Sequence, residues 1–385
     1  MRLAIRPQHV HTISGNSCCP QAARGSLQGQ YRPGGVAVAQ HKEPRPTSKD
    51  IALLAQVSQA TVSRALRDSP LVNPETRARV KAIAEQLHYR ADRRAAGLRT
   101  RRSHTLALLI FEETSDDAPI NPFFLSLLGH ITRAASRRGL DLLVSFQQLS
   151  DDWHTDYELS NRADGLILLG YGDYLTSAPR LQRLADSGAH FVIWGPIVTG
   201  MTGKYVCSDN RAGAEQAVRH LLSLGRRRIA YVGSASGQWP EFQLRHAGYV
   251  QALRDAGLVP DPALLVEAQS SEAAGRAAGI ALLDSGAAFD AVFAASDRIA
   301  IGIIGALRER GLGVPQDVAV VGFDDIGSAA HFNPPLTTVQ QDTQRAGEML
   351  VENLLRLIAG ETPESALIEP RLVVRASCGG RHAAR

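Results

Sequence analysis

Eight consecutive residues, Val57-Ser58-Gln59-Ala60-Thr61-Val62-Ser63-Arg64, hold the parts of a helix that reads base edges. Ser58 is of the type that accepts from the first free N–H groups of a helix and so starts one. With Ser58 as the cap, Val62 and Ala65 fall on one side of the helix and Gln59, Ala60, Ser63 and Arg64 on the other. A glutamine amide matches the donor–acceptor pair of adenine. The arginine fork matches guanine or a phosphate, and an alanine methyl can touch that of thymine. The same four residues also suit a plain solvated face, and their spacing alone leaves both roles open. Covalent chemistry has no comparable constellation. The G-x-x-x-x-G-K-[ST], G-x-S-x-G and H-E-x-x-H patterns are all missing. His9, His11, Cys18 and Cys19 lie close together, but their spacing matches no standard zinc pattern. No catalytic residue, metal ligand or cofactor is expected.

The elements that must hold the reading helix can be traced on either side of it. Thr47 with Asp50 three residues on is a helix start of the capping-box type. Ile51, Leu54 and Ala55 then make one apolar face. After the helix that begins at Ser58, Asn73-Pro74-Glu75 starts a third, with Asn as cap and Pro at the first helical position. Val80, Ile83, Ala84 and Leu87 form its stripe. Three short helices within about forty residues, the first two joined by a short turn, predict a helix-turn-helix unit.

Charge divides the chain at nearly the same place. Residues 1–102 carry 18 Lys and Arg against 6 Asp and Glu; the rest carries 24 against 32. A basic front on an acidic body suits a nucleic-acid-binding head on a globular domain, although a basic tail would give the same balance. Residues 1–44 are rich in Gly, Gln, Ser, Arg and Pro without any period, which predicts a disordered extension or one translated from too early a start. They lack the apolar run of a signal peptide, and no stretch reaches the length of a membrane helix. The four cysteines, Cys18, Cys19, Cys207 and Cys378, form no C-x-x-C pair, as expected of free thiols in a reducing cytosol.

From Thr105 the pattern becomes one of alternation. Apolar runs at 105–111, 140–146, 165–169, 191–194, 228–232, 291–294 and 318–323 are separated by amphipathic stretches such as 123–138, 212–224, 242–256 and 298–310. Such alternation predicts βαβ units with parallel sheets, and ligands at the carboxyl ends of the strands. The number of elements predicts two lobes.

The motifs Asp50-Ile51-Ala52, Val57-Ser58, Thr61-Val62-Ser63-Arg64, Val72-Asn73-Pro74-Glu75-Thr76-Arg77 and Leu87-His88-Tyr89 together resemble the DNA-binding head of the lactose-repressor (LacI/GalR) family of bacterial regulators. The likeness continues to Ser377. It implies an all-α helix-turn-helix head and a two-lobed α/β sensor domain like the periplasmic binding proteins, with parallel sheets. It implies DNA contacts at Thr47, Ser58, Gln59, Ala60, Thr61, Ser63, Arg64, Asn73 and Thr76, of which Gln59, Ala60 and Arg64 read bases. Residues 93–100 resemble the family's hinge helix, placing Arg93, Ala95 and Leu98 on DNA, with Leu98 as a minor-groove wedge. The chain departs from the pattern at Gln56, where many members have Gly, at Ala91-Asp92 and at Ala96-Gly97. In the sensor, the likeness implies effector contacts at Phe123, Phe124, Arg245, Asp297, Asp324 and Gln341. Arginine and carboxylates suit sugar hydroxyls. The aromatic residue that many sugar-binding members carry near Ser270 is replaced by that serine, with Trp194, Trp239 and Phe124 as substitutes. Without the family likeness, Arg245 and Asp297 could equally form a structural salt bridge.

The domain layout expected is an extension (1–44), a head (45–92), a hinge (93–103), a sensor (104–378) and a tail (379–385). Within the sensor, lobe 1 is expected over about 104–203 plus 336–362 and lobe 2 over about 204–335 plus 363–378. The resemblance implies a cytoplasmic, nucleoid-associated regulator. It would be a repressor, or less often an activator, working as a homodimer on pseudo-palindromic operator DNA under control of a carbohydrate effector. A transport-type sugar-binding protein would need a signal peptide and no helix-turn-helix. An α/β enzyme such as a sugar kinase would need phosphate-binding groups.

Overall fold

The computed structural model describes residues 46–89, 102–111, 120–146, 152–170, 174–197, 200, 202–236 and 238–380. The extension, the residues 93–101 of the expected hinge with Arg93, Ala95 and Leu98, and the departures at 91–92 and 96–97 lie outside them, as do His9, His11, Cys18 and Cys19. The chain divides into two compact units after Arg90, and each is described by itself.

The first unit holds α1 (Ser48–Leu54), α2 (Gln59–Leu66) and α3 (Pro74–Gln86). Its core is small: Ile51, Ala55, Val62, Ala65, Val72, Val80 and Ala84. Leu54, expected on the inner face of α1, is 58% exposed. Ile51 and Ala55, one turn apart, carry that contact with the half-buried Ala52 beside them. The turn between α1 and α2 passes through Gln56 at φ 50°, a left-handed conformation that favours glycine.

The second unit is built on two six-stranded sheets among the described residues. The first contains β1 (Thr105–Ile110), β2 (Asp141–Phe146), β3 (Leu166–Leu169), β4 (Phe191–Trp194), β5 (Lys204–Ser208) and β11 (Ala366–Ile368), in the order β11-β5-β4-β3-β1-β2. All its pairs are parallel. The second contains β6 (Ile229–Val232), β7 (Leu265–Val266), β8 (Ala291–Ala294), β9 (Ala319–Asp324), β10 (Thr337–Gln340) and β12 (Arg371–Val373), in the order β12-β10-β9-β8-β6-β7. Only the edge pair β10–β12 is antiparallel. The central strands β3, β4, β6 and β8 are buried along their whole length, as continuous apolar runs covered on both faces must be.

The helices of this unit are α4 (Pro122–Arg137), α5 (Tyr174–Asp186), α6 (Asn210–Ser223), α7 (Pro240–Asp255), α8 (Glu272–Asp284), α9 (Asp297–Glu309) and α10 (Thr343–Ile358). Their starts are set locally: Asn121, Asp209, Ser271, Ser296 and Asp342 each accept a hydrogen bond from a first-turn N–H. Close approach then needs small residues. A Cβ on Gly302 of α9 would lie 2.1 Å from the Glu272 carbonyl oxygen of α8.

The expected lobe boundaries require correction. β5 and β11 pair in the first sheet, and β10 in the second. The chain therefore crosses between lobes at 208–210, 340–343 and 368–371. Each crossing comes one strand later than expected, because each of these short strands completes a sheet begun before it. Of the twelve strands among the described residues, β5, β7, β10, β11 and β12 lack the long apolar runs that mark the others.

Candidate functional site

In the head, Ser58 caps α2 by accepting from the Thr61 N–H at 3.1 Å, and its hydroxyl lies 2.9 Å from that of Thr61. Val62 and Ala65 are fully buried, which turns the opposite face outward. Gln59, Ala60 and Arg64 are exposed there and Ser63 is half-buried. The Gln59 amide donates to the Ser48 hydroxyl on α1 at 2.7 Å, which ties the start of α2 to α1. Thr47 and Asn73 serve as caps. The Asp50 carboxylate accepts from the Thr47 N–H (2.7 Å) and hydroxyl (2.8 Å), and these bonds lower its pKa. Asn73 accepts from the N–H groups of Glu75 (2.7 Å) and Thr76 (3.2 Å), which orders the start of α3. Arg77, half-buried, donates to the Ser69 and Val72 carbonyls and so fixes the link between α2 and α3.

The sensor contains a cavity of about 290 Å³ at the carboxyl ends of both sheets. The register brings Ile110, Leu169 and Trp194 level at the ends of β1, β3 and β4. Asn121 accepts from the Phe123 N–H at 3.1 Å, and α4 then presents Phe123 and Phe124 beside Trp194. The Phe123 ring lies 5.5 Å from that of Phe124, edge-on, and 5.7 Å from that of Trp194. This is an aromatic wall contributed by lobe 1.

Lobe 2 contributes the start of α7, with Trp239, Glu241, Phe242 and Arg245 on the cavity. Arg245 is 4% exposed. Its Nε donates to Asn210 Oδ1 at 2.8 Å and its Nη1 to the Ala295 carbonyl. The same Nη1 lies 3.5 Å from Asp324 Oδ1, and the guanidinium stacks 3.7 Å over the Phe323 ring centre. Asp324 also accepts from Gln341 Nε2 at 2.7 Å. Burial raises the Asp324 pKa to about 6, against the opposing pull of Arg245 and the Gln341 bond. Its φ of 118° is rare for a residue with a side chain, a strain of the kind that collects at binding sites. Ser270 lines the cavity and donates to the Ser296 hydroxyl at 2.9 Å.

Seven of the eight residues expected at the effector thus come together: Phe123, Phe124, Trp194, Arg245, Ser270, Asp324 and Gln341. Asp297 does not line the cavity. It is fully buried, accepting from the Thr338 hydroxyl and, at 2.9 Å, from the Ile326 N–H. A Cβ on Gly322 would lie 2.2 Å from its Oδ1, so that glycine makes the space it occupies. Burial, then the neighbouring Asp324 charge, pushes its pKa well up. The next residue, Arg298, lines the cavity instead. Sequence reasoning missed Arg298, Glu241, Phe242, Asn210, Gln269 and Asn121. Glu241 and Phe242 carried a signal, four and three residues before Arg245 and hence on the same helix face. Among the described residues no group of His, Cys, Asp and Glu could hold a metal, and no helix is long and apolar enough to cross a membrane. Cys207 and Cys378 are buried free thiols.

Two families match the chain. Residues 47–92 match the family described as bacterial regulatory proteins, lacI family, and residues 218–378 match the periplasmic binding protein-like domain. The HTH-type transcriptional regulator CelR of Thermobifida fusca is 35% identical over 86% of this chain and 98% of its own length. The chain belongs to the LacI family. Across the same family, the ribose operon repressor of Escherichia coli is 30% identical over 86% of this chain and 99% of its own. Among solved structures, a complex of CelR with cellobiose matches with a TM-score of 0.65 at 33% identity, over 86% of this chain and all of that one. A lac repressor dimer bound to operator and the anti-inducer ONPF matches with a TM-score of 0.75 at 25% identity, over 87% and 99%. This LacI-family chain is a sequence-specific DNA-binding transcriptional regulator with a helix-turn-helix head and an α/β sensor domain.

Proposed function

We propose that the chain is a repressor whose hold on its operator is set by a carbohydrate in the sensor cleft. The observation that carries this reading is the enclosed Arg245–Asp324 pair with Gln341 beside it and aromatic rings from both lobes around it. Paired, desolvated charges suit hydroxyl groups, and rings suit the apolar face of a sugar. The relative crystallised with cellobiose supports the same ligand class. Trp239 and Phe242 stand in for the aromatic that Ser270 replaces. Phe123, Phe124, Trp194, Ser270, Asp324 and Gln341 complete the contacts, and Asn210 orients Arg245.

In the head, Gln59, Ala60, Ser63 and Arg64 meet base edges. Thr47, Ser58, Thr61, Asn73 and Thr76 hold the helices on phosphates, and Arg93, Ala95 and Leu98 complete the grip in the minor groove. A homodimer places two heads on a pseudo-palindrome. The edge strand β2, with Val144 41% and Phe146 53% exposed, offers apolar surface to a second copy, and the lac repressor dimer on its operator supports that assembly. The regulator works on the bacterial nucleoid in the cytoplasm, without catalysis. The effector acts by binding one arrangement of the lobes more tightly than the other.

Fluorescence anisotropy on DNA from upstream of the chain's own gene, with and without a panel of sugars, tests the reading. Specific binding should fall steeply with salt, and one sugar should shift it at least about 10-fold. Binding that ignores every sugar, or no specific binding at all, would remove it.

A further inference from the structure

Among the described residues, the cleft contains one fully enclosed side-chain atom without a hydrogen-bond partner. Glu241 lines the cavity one helical turn before Arg245. Its Oε2 is enclosed and has no hydrogen-bond partner among the described residues. The neighbouring acids differ. Asp324 is held by Gln341 and Arg245, Asp297 by Thr338 and the Ile326 N–H, and Asp325 by Gln340 and Arg375. A similar contrast separates the two cations of the cavity. Arg245 is fully engaged at Nε and Nη1, whereas Arg298 has no hydrogen bond or ion pair among the described residues.

Resting on the carbohydrate reading, we propose that Glu241 is the acid that reads the effector, accepting hydroxyl hydrogens at Oε2, and that it selects an uncharged polyhydroxylated ligand over a sugar acid. An enclosed acceptor without a donor is costly and persists where a ligand supplies one. Sugar hydroxyls are such donors. An ionised sugar acid brings a group that donates nothing at neutral pH and repels Glu241. Among the described residues, the four charged side chains of the cavity, Arg245, Arg298, Glu241 and Asp324, balance formally, and a neutral ligand keeps that balance in a site of low dielectric. Arg298 then donates to ring or hydroxyl oxygens. Burial raises the Glu241 pKa, with its own backbone N–H and then Arg245 opposing, so a donor at Oε2 also relieves the desolvation of the carboxylate.

Calorimetry on the full chain decides this, with neutral mono- and disaccharides, cellobiose and D-ribose among them, against D-glucuronate and D-galacturonate. The unmodified chain should bind a neutral sugar, and both acids at least about 10-fold more weakly. Glu241→Gln keeps the size of the side chain and removes its charge. It should weaken the neutral sugar by about 10- to 100-fold and strengthen binding of the acids. A merely structural Glu241 would show itself as a lowered melting temperature of the ligand-free variant; the expected temperature is equal or higher, because an unpartnered acid has been removed. Glu241→Ala should show the same loss for the neutral sugar, and covers the case in which the amide disturbs packing. Neutral-sugar affinity unchanged in both variants, or tighter binding of an acid by the unmodified chain, overturns the inference and leaves the carbohydrate reading standing. Failure of every probe to bind the unmodified chain overturns the carbohydrate reading, and this inference with it.

Discussion

The head and the cleft recognise their targets by opposite physical means. The head exposes the residues proposed to read bases: Gln59, Ala60 and Arg64 stand in solvent, over a three-helix core of seven mostly small side chains. The cleft encloses its own, with Arg245 4% and Asp324 7% exposed. DNA is a large polyanion whose base edges and phosphates are met by side chains that reach out, so order comes from caps and from bonds such as Gln59 to Ser48. A sugar must be stripped of water and surrounded, and in the cleft Arg245, Asp324 and Gln341 are already paired with one another. Affinity in the head should therefore depend on salt, and in the cleft on geometry.

The largest effect expected from this contrast is in the cleft. Arg245→Ala leaves Asp324 buried beside Gln341 without its cation. Effector affinity should fall by more than about 100-fold, with about 3–5 kcal/mol of sensor stability lost. Operator affinity without effector should stay within about threefold, read by anisotropy and calorimetry on one preparation. Operator binding that collapsed with the cleft would abolish the division between the two regions.

Asp297→Ala tests the corrected role of that acid. It strips acceptors from the Thr338 hydroxyl and the Ile326 N–H, and chemical denaturation should show a loss of about 2–4 kcal/mol. Effector affinity of the folded protein should change less than in Arg245→Ala. A larger affinity loss with little destabilisation would return Asp297 to the ligand contacts.

Arg64→Ala moves to the other region. Discrimination between operator and unrelated DNA should drop by about 1–3 kcal/mol, while calorimetry shows effector affinity unchanged. Gln56→Gly gives the smallest effect. Relief of the left-handed glutamine should stabilise the head by about 0.5–1 kcal/mol in thermal unfolding, with no change in base preference. Destabilisation instead would mean that the Gln56 side chain contributes more than its backbone strain costs.

Much of the head and of the strand framework is legible in the residue types themselves. Ser58 and Asn73 act as the caps that their residue types predict, and Thr47 is tied to Asp50 at the start of α1. The strands Phe191–Trp194 and Ala291–Ala294 match their apolar runs residue for residue. By contrast, the apolar pattern misplaces or misses β5, β10 and β11, and with them the lobe boundaries. None of these three holds four apolar residues in a row, as Phe191–Trp194 and Ala291–Ala294 do, so none announces itself. Their sheet is chosen by partners far away in the chain, as Val206 is by Ala366.

The amino-acid order alone determined that there is a head with a reading helix and a βα sensor behind it, because caps and hydrophobic periods act over a few residues. Tertiary packing decided which polar groups face the cavity. Ser296, Asp297 and Arg298 are consecutive, and nothing in their types says which one turns inward. The space left by Gly322 and the donors on Thr338 and Ile326 draw Asp297 into the core and leave Arg298 on the cavity. Likewise, Glu241 is an ordinary helical glutamate until the packing around it encloses Oε2 and leaves it without a partner among the described residues.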